Sequence, residues 1–502
     1  MINMTKAIRT ALFIGFTALF AASCSKEPSV SSTILQETLP VTEELDTKVA
    51  DFTVTREMVE AFLMSESEKE RPVVSISSYP SEDNPLLYVV NYENGWKIIP
   101  GDSRFGYVLA QSESGTLDLS KKSENPGFNI WVKSQLDEIK SVRGSQLKNE
   151  TMEENARAWS AFLAPAVADQ DKKLTAVARS NGSGELMWAK IKYSLIVETD
   201  TVANKGHLLQ TKWGQGSPWN VSMYTYEGEK CAPGCAAVAV AQVLYYYHNK
   251  QNRPSGLYHS VKNDKVTRYT INGRSWFDIK LKRGDFVLNS PRWEEMPLTK
   301  GEDNPDGYKY VSDLMLDVGV RMNMKYNVTG SSVIPDSNGY FDTSICGLSG
   351  TWAQYSAHNA LRAVVNSLDA DNPVIVAATD ENGDGHTWII DGYVRVERTR
   401  TRRYEWWPVN MIPAGTAVYE YKTTTELLQQ YNYNIYQGLP VYEPDGIQPD
   451  FLFRMNWGLD DSLDNDALYS SSSYINSAWY DFNYNKVVQY NLSAGELTYF
   501  GE

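Results

Sequence analysis

The sequence has few cysteines and no concentration of positive charge. Its 502 residues include only four cysteines, which are Cys24, Cys231, Cys235 and Cys346. Four cysteines make no disulfide framework, and the C-x-x-x-C spacing is neither a redox CxxC motif nor half of a paired zinc site. Acidic residues outnumber basic ones, the formal net charge is −15, and no basic block occurs. A nucleic-acid partner is therefore not expected.

The clearest apolar run lies at the start of the chain. Lys6 and Arg9 precede the apolar run Ala11–Ala22, and small residues then lead to Cys24. This order predicts a lipoprotein-type signal peptide over residues 1–24, with Cys24 as the lipidated residue that anchors the protein to a membrane. The alternative is ordinary secretion with cleavage nearby. The run is too short to span a bilayer permanently, and no other span follows. The expected location is the bacterial cell envelope, at the outer membrane or cell surface, or outside the cell.

The next part of the chain predicts a tether, a small α+β domain and a linker. Residues 25–49 are polar and rich in Ser, Thr, Glu and Pro, which is typical of a flexible tether. Residues from 50 to 145 predict a Thr-capped helix, a hairpin at Asn94-Gly95, a further strand, and a helix around Phe128–Ile139. Residues 145–206 are charged and small, which predicts an exposed, cleavable linker.

Cys235 is the candidate nucleophile. Pro233 and Gly234 predict a turn before it, and Ala236–Tyr247 has no Gly or Pro and is apolar on nearly every face, which predicts a buried helix. In the first turn of a helix, unpaired backbone N–H groups and the helix dipole favour the thiolate, which is the nucleophilic form. The alternative is an inert core cysteine, since free cysteine is among the most buried residue types.

Two polar residues elsewhere could complete a site with Cys235. Gln215 lies in the loop WGQGSPWN, and a neutral side-chain amide can donate to a developing oxyanion. His386 lies in GDGHTWIIDGY, where a polar turn leads into an apolar strand. A histidine far downstream of a cysteine is the order required when the general base comes from a second subdomain. Taken singly, each of the two is more often an ordinary surface residue.

Between and beyond these motifs the pattern predicts alternating elements. Helices are expected over Tyr308–Val318 and Leu361–Leu368, and a hairpin at Asn272-Gly273. A strand over Pro373–Ala378 leads into the turn before His386. Helices are therefore expected first and strands later in this part of the chain.

These stretches together resemble the streptopain family of secreted, papain-like cysteine peptidases, peptidase family C10. The matching pieces are LLQTKWGQGSPWN, CAPGCAAVAVAQVLYYY, RWEEM, MKYNVTGSS, GHTWIIDGY and MNWG, which occur in the family's order between Leu208 and Gly458. The resemblance implies roles for five residues: Cys235 as nucleophile, His386 as general base, Gln215 as oxyanion-hole donor, Trp457 beside the histidine, and Asn456 as the residue that orients the imidazole.

The resemblance also implies a fold and an activity. The expected fold class is α+β: a papain-like catalytic domain over residues 206–502, with a helical and an antiparallel-sheet subdomain, follows an inhibitory pro-domain and linker over residues 50–205. The expected activity is that of a cysteine endopeptidase, made as a zymogen, that forms a thioester on Cys235. Its partners would be protein or peptide substrates and its own pro-domain. This chemistry requires no metal and no cofactor.

Several features leave alternatives open. The family's NWGW and Gly-rich loop is replaced here by the acidic NWGLDDSLDNDALYS, so that loop and its substrate contacts could differ, and Thr387 follows the histidine where Ala is common. Asp380–Asp391 nearly matches a calcium loop but lacks the final Glu and the flanking helices. Cys231 and Cys346 could pair in an exported protein. The alternative functions are a Cys-His cell-wall amidase and a non-catalytic surface binding lipoprotein on a peptidase fold.

Overall fold

The computed structural model of this chain describes residues 52–64, 71–145, 149–162, 185–226, 228–251, 265–271, 275–281, 292–301, 304–328, 330–336, 339–354, 358–379, 385–413, 416, 418–431, 440–460, 467–470 and 487–494. All of them belong to one compact unit, Asp51–Glu502. The expected signal peptide, with Cys24, and the expected tether lie outside the described residues.

The first described part, residues 52–162, is a small α+β region that we call the N-terminal module. Its elements are α1 (Arg56–Leu63), β1 (Val73–Tyr79), β2 (Leu87–Tyr92), β3 (Trp96–Pro100), β4 (Ala110–Ser112), α2 (Pro126–Arg143) and α3 (Glu150–Ser160). The Thr55 hydroxyl accepts a hydrogen bond from the Met58 N–H and caps α1. Gly95, with a φ of +90°, makes the turn of the predicted hairpin between β2 and β3. The helix predicted around Phe128–Ile139 is α2.

The prediction of an exposed linker over residues 145–206 is wrong for two parts of that range. In α3, Met152 and Trp159 are buried. Residues Met187–Lys205 form β5, a strand of 19 residues that is paired antiparallel along its length with a later strand of the sheet. The boundary expected between Lys205 and Gly206 therefore falls at the end of a sheet strand. Local composition missed β5 because the partners that accommodate it lie far along the chain: β12 pairs with its backbone, and Glu443 and Asp371 pair with its Lys190 and Lys205.

Among the described residues after 162, the chain forms four α-helices and the strands of an antiparallel sheet. Its elements are β6 (Thr225–Tyr226), β7 (Glu229–Lys230), α4 (Cys235–Gln251), β8 (Lys265–Ile271), β9 (Ser275–Leu281), α5 (Pro305–Arg321), β10 (Leu348–Gln354), α6 (His358–Asp369), β11 (Val374–Thr379), β12 (Gly385–Pro408), β13 (Glu420–Thr423), α7 (Thr424–Tyr431), β14 (Pro440–Asn456), β15 (Leu468–Ser470) and β16 (Val487–Ala494). The three predicted helices are α4, α5 and α6, and the strand predicted ahead of His386 is β11. Among the described helices, none has the length and apolar character that crossing a membrane requires.

One antiparallel sheet joins the N-terminal module to the rest of the molecule. Its main order is β1-β2-β3-β4-β15-β14-β12-β11-β16-β10, and β5 lies beside β12 where β11 ends, with β13 against β5. The short strand β15 makes the junction, because Leu468 is paired both with Gln111 of β4 and with Arg454 of β14. The expected α+β class is confirmed, with a papain-like combination of helices and an antiparallel sheet preceded by a small α+β module.

Apolar packing explains which segments meet. One core cluster surrounds α4 and α5 and includes Trp213 and Trp219 from the loop before α4. A second cluster combines Phe128 and Trp131 of α2 with strand residues of the later chain, including Trp388 of β12. The N-terminal module and the strand that carries His386 therefore share one apolar core.

The far ends of β5, β12 and β14, with β13 and α7, form an extension that we call the arm. Lys190 of β5 is buried there between the carboxylates of Glu420 and Glu443, at 2.8 and 3.0 Å. A small apolar core lies beneath, made of Trp188, Trp406, Leu427 and Val441. Because a buried lysine is stable only when its charge is paired, this cluster ties β5 firmly to the arm.

Candidate active site

Cys235 is the first residue of α4, and the turn before it is shaped by a glycine. Gly234 has a φ of +90°, in the left-handed region that favours glycine. A Cβ atom there would overlap the Met324 side chain and lie 2.9 Å from the Ser331 carbonyl oxygen. The Cys235 side chain is half-buried, so part of it stays accessible.

The segment after α5 holds this turn in place. The Ser331 hydroxyl donates to the Ala232 carbonyl oxygen at 2.6 Å, and the Ala232 N–H donates to the Asn327 carbonyl oxygen at 3.0 Å. Asn327 and Ser331 belong to the MKYNVTGSS stretch. That stretch therefore supports the backbone that aims the thiol.

His386 lies at the start of β12, opposite Ala378 of β11, and is 3% exposed. Its Nε2–H donates to the carbonyl oxygen of Trp457 at 2.8 Å. A carbonyl oxygen can only accept, so Nε2 carries a proton and Nδ1 is left as the acceptor of the neutral imidazole. His386 is thus set up to take a proton through Nδ1.

The Cys235 thiol has a pKa below its ordinary value, and two opposing effects set it. Burial of the sulfur raises the pKa, but a hydrogen bond to His386 and the attraction of its positive charge lower it, helped by the backbone and hydroxyl of Thr387. The effects of His386 and Thr387 together exceed the effect of burial, so the net shift of the pKa is downward. A thiolate paired with an imidazolium is the reactive form of a nucleophilic cysteine.

Trp457 lies against His386 and is fully buried. Its ring centroid is 6.5 Å from the imidazole and 5.1 Å from the Trp388 ring, and Tyr469 packs on its edge at 5.4 Å. The structure thus places Trp457 beside the histidine, and its carbonyl oxygen, rather than a side chain, is the group that orients the imidazole.

Asn456, which the sequence predicts to orient the imidazole, makes no direct hydrogen bond to His386 among the described contacts. Its amide nitrogen donates to the Thr211 carbonyl oxygen at 2.8 Å and to the Gln242 amide oxygen at 3.2 Å. Its amide oxygen accepts from the Gln242 amide nitrogen at 3.2 Å and from the Gly458 N–H at 3.1 Å. Asn456 and Trp457 are successive residues at the end of β14, so their side chains point to different sides, and that of Asn456 faces α4.

Gln215 lies in the loop that precedes α4, and its side chain is half-buried. The loop is anchored by Trp213, whose indole N–H donates to the Pro297 carbonyl oxygen at 2.7 Å and whose ring packs on Tyr245 of α4. A Cβ atom on Gly214 would overlap the carboxylate of Asp460, in the acidic loop after Trp457. Three separate segments therefore meet here: the Gln215 loop, α4, and the chain that follows β14.

The N-terminal module covers this site at one point. Gly127, in the first turn of α2, packs so closely that a Cβ atom there would lie 2.6 Å from Cδ2 of His386 and would overlap the Trp457 ring. One turn further along α2, Trp131 packs edge-on against Tyr469 at 5.2 Å. The start of α2 thus rests directly on His386 and the tryptophan beside it.

The remaining cysteines and the calcium-like loop are not part of this arrangement. Cys231 and Cys346 are buried and not joined in a disulfide, so the pairing considered from the sequence is not formed. Of the calcium-like stretch, residues 380–384 lie outside the described residues. The carboxylate of Asp391 is fully buried and bonds to Nδ1 of His207 at 3.0 Å. No group of three or more metal-binding side chains occurs in the described part of the chain.

The sequence did not predict a role for Thr387 in lowering the pKa of the Cys235 thiol, or for Gln242 as a buried polar residue beside the site. The exchange of Ala for Thr387 looked minor, whereas its hydroxyl and backbone help to lower the thiol pKa. Gln242 is the only polar residue between Ala236 and Leu244, and it is fully buried. A lone polar residue in a buried helix must have a hydrogen-bond partner, and that signal was available in the sequence.

Two family models match the chain. The model of the Peptidase C10 family matches residues 213–465, which is half of the chain and contains Gln215, Cys235, His386 and Trp457. The model of the Spi protease inhibitor matches residues 40–139, within which α1, β1 to β4 and most of α2 lie.

Individual proteins are also similar. Streptopain of Streptococcus pyogenes is 23% identical over 329 residues, which cover 61% of this chain and 68% of streptopain. A fragment of Prevotella intermedia prointerpain A matches with a TM-score of 0.48 and 18% identity, over 83% of this chain and 97% of the fragment. The active wild-type Prevotella intermedia interpain A cysteine protease matches with a TM-score of 0.33 and 17% identity, over 58% of this chain and 95% of that protein.

Proposed function

This chain belongs to the Peptidase C10 family, and from that premise we propose that it is a cysteine endopeptidase made as a zymogen. It is a cysteine peptidase, and Cys235, His386 and Gln215 are the residues to which we assign its chemistry. The substrates are proteins or peptides. The observation that carries the assignment is the thiol of Cys235 at the start of α4, with its pKa lowered by His386.

The proposed reaction is acyl transfer in two halves. The Cys235 thiolate attacks the scissile carbonyl carbon, and the oxyanion that forms is stabilised by the Gln215 amide and the Cys235 backbone N–H. The His386 imidazolium then gives its proton to the leaving amine as the C–N bond breaks, which leaves a thioester on Cys235. A water molecule, deprotonated by His386, attacks the thioester, and the acid product leaves as the thiol is restored.

The proposed latency rests on the contact of Gly127 with His386 and Trp457. Substrate must approach the thiol beside the imidazole, and the first turn of α2 occupies the surface next to that ring. The match of residues 40–139 to a protease-inhibitor model supports the same role for the N-terminal module. A module held on the same chain competes with substrate at high effective concentration, so weak docking is enough to keep the enzyme inactive until the chain is cut.

The test compares two glycine substitutions in the same helix. Gly127→Ala places a methyl group against His386 and Trp457, and should raise casein hydrolysis by the uncut full-length chain, with intact mass verifying that no cut has occurred. Gly144→Ala, at the other end of α2, brings its Cβ only to an ordinary 3.5 Å contact and should leave the uncut chain inactive. Both changes favour helix formation, so a weaker helix cannot explain a difference between them.

Two further results bear on the proposal. Cys235→Ala should abolish hydrolysis in the cut and uncut forms, and residual activity would exclude Cys235 as the nucleophile. Equal latency of the Gly127→Ala and Gly144→Ala chains would exclude the α2 contact as the inhibitory one. After maturation the two variants should be equally active, because the substituted helix has then left the enzyme.

We also propose that the protein is exported and anchored to the cell envelope by a lipid on Cys24. The support is the basic, apolar and small-residue order of residues 1–24. Cys24→Ser should move the protein from the detergent phase to the aqueous phase in Triton X-114 partitioning. An unchanged partition would rule out the lipid anchor, and ordinary secretion would remain.

A further inference from the structure

The amide groups of Gln242 and Asn456 form a closed pair in the interior of the molecule. Each donates to the other at 3.2 Å, and both residues are buried. The Gln242 amide oxygen also accepts from the backbone N–H of Trp213 at 3.3 Å. The Asn456 amide nitrogen donates to the Thr211 carbonyl oxygen, and its amide oxygen accepts from the Gly458 N–H. Every hydrogen-bonding position of Asn456 is therefore occupied.

This amide pair connects the three segments that build the site. Gln242 lies seven residues after Cys235, about two turns along the same helix. Thr211 and Trp213 belong to the loop that leads to Gln215, and Asn456 precedes Trp457. These segments are far apart in the sequence, and among the described contacts this network is where all three are hydrogen-bonded together.

One peptide unit transmits the position of Asn456 to the histidine. The carbonyl group of Trp457 and the N–H group of Gly458 belong to the same planar peptide and point in opposite directions. The N–H is held by the Asn456 oxygen at 3.1 Å, and the carbonyl oxygen accepts from Nε2 of His386 at 2.8 Å. Fixing one end of this rigid unit fixes the direction of the other.

Gly458 makes this peptide sensitive to its support. Its φ of +69° lies in the left-handed region, and a Cβ atom there would lie 3.1 Å from Val238 of α4. Glycine leaves the backbone free to rotate, so the peptide orientation depends on the hydrogen bond to Asn456. That bond in turn depends on Gln242, which holds both ends of the Asn456 amide.

We propose that Gln242 is a positioning residue for catalysis: through Asn456 and the Trp457–Gly458 peptide, it fixes the His386 imidazole relative to the helix that carries Cys235. This inference rests on the proposed roles of Cys235 and His386. Gln242 touches neither the thiol nor the imidazole. Its loss would leave the Asn456 amide buried with unpaired groups and let the peptide rotate, so that Nε2 of His386 loses its fixed partner.

The experiment uses Gln242→Met, which keeps the length of the side chain and removes its hydrogen bonds. Full-length chains are cut by immobilised wild-type protein, which is then removed. Hydrolysis of labelled casein should show kcat lowered about 10- to 100-fold with little change in KM, because a displaced imidazole acts on the chemical step. Alkylation of Cys235 by iodoacetamide, followed by peptide mass spectrometry, should shift its pH midpoint upward.

Gln489→Met is the matched control. The Gln489 amide is also buried, and it donates to the Thr343 hydroxyl at 2.8 Å, within a part of the sheet that carries no assigned catalytic residue. This variant loses a buried amide bond of the same kind and should lose similar stability, with kcat and the alkylation midpoint unchanged. If Gln242→Met and Gln489→Met behave alike, Gln242 has only a structural role and the proposal is overturned.

A second variant covers the case in which Gln242→Met does not fold. Gln242→Glu keeps the shape, and its buried carboxyl, when protonated, can still donate to and accept from Asn456. It should retain activity at acidic pH and lose it more steeply than wild type as the carboxyl ionises. A pH profile identical to that of wild type would contradict the proposal. A wrong assignment of Cys235 as the nucleophile would give a different result, because the Cys235→Ala variant would then remain active.

Discussion

At the scale of single residues, the reactivity of this molecule depends on opposing effects on the pKa of the Cys235 thiol. Burial of Cys235 favours the neutral thiol, whereas His386 and Thr387 favour the thiolate, and the second influence prevails. His386 can act in this way because its Nε2 proton is committed to the Trp457 carbonyl oxygen. The direct partner of the imidazole is thus a main-chain oxygen and not the Asn456 side chain.

The alkylation of Cys235 as a function of pH tests this balance. The rate follows the thiolate fraction, so a lowered pKa places the midpoint below about 8.5, the ordinary value for a cysteine. His386→Ala removes the largest lowering influence and leaves burial, so its midpoint should lie above the ordinary value. Thr387→Val should give a smaller upward shift. A His386→Ala midpoint equal to that of wild type would contradict the ion pair.

At the scale of elements, β12 performs two tasks along its 24 residues. Its first residues carry His386 and are paired with β11, while its later residues run between β5 and β14 into the arm. Arg398 on the arm side is buried against Asp450 at 3.1 Å, and its guanidinium lies 5.9 Å from the ring of Tyr107 in the N-terminal module. The strand that carries His386 therefore also contacts the N-terminal module.

The pairing of β5 with β12 predicts where the mature enzyme begins. A cut within residues 187–205 would break a continuous strand ladder, and a cut after Lys190 would also separate this lysine from its partners Glu420 and Glu443. We therefore expect the maturation cut to lie before Met187, so that β5 stays with the catalytic part. N-terminal sequencing and denatured mass of the self-processed protein measure this. A mature chain that begins at Gly206 would show that β5 is removed with the N-terminal module.

At the scale of the whole molecule, the N-terminal module is continuous with the enzyme and is not a loosely attached domain. One sheet runs from β1 to β10 through the junction at β15, and one apolar cluster includes both α2 and the strands beside His386. Docking therefore depends on apolar packing and on strand pairing at the same time. Release after cutting must break both, which is possible only when the module is no longer held on the chain.

Continuity of the core predicts cooperative unfolding of the uncut chain. In a Cys235→Ala background, which prevents self-cleavage, differential scanning calorimetry should show one transition that includes the N-terminal module. Trp131→Ala removes a buried ring that packs on Tyr469, and should lower the stability of the whole unit by roughly 3–5 kcal/mol. A separate transition at lower temperature for the N-terminal module would contradict a shared core.

The sequence by itself determined those features that depend on neighbouring residues. The Pro-Gly turn and the apolar run behind it predict Cys235 at the start of a buried helix, and Asn94-Gly95 predicts a hairpin, because turn and helix signals act over a few residues. The motifs around Gln215, His386 and Trp457 were found in the same local way. The family resemblance then linked these separate motifs into one site, because they occur along the chain in the family's order.

Only the tertiary structure decided which distant groups face each other. The amide of Asn456 meets Gln242, which lies 214 residues away in the sequence, and so the imidazole is oriented by a carbonyl oxygen instead. β5 is a strand because its partner is β12, although its own composition is also that of a linker. A hydrogen bond depends on the position and direction of both partners, and for groups this far apart in the sequence both are set by the packing of the whole chain.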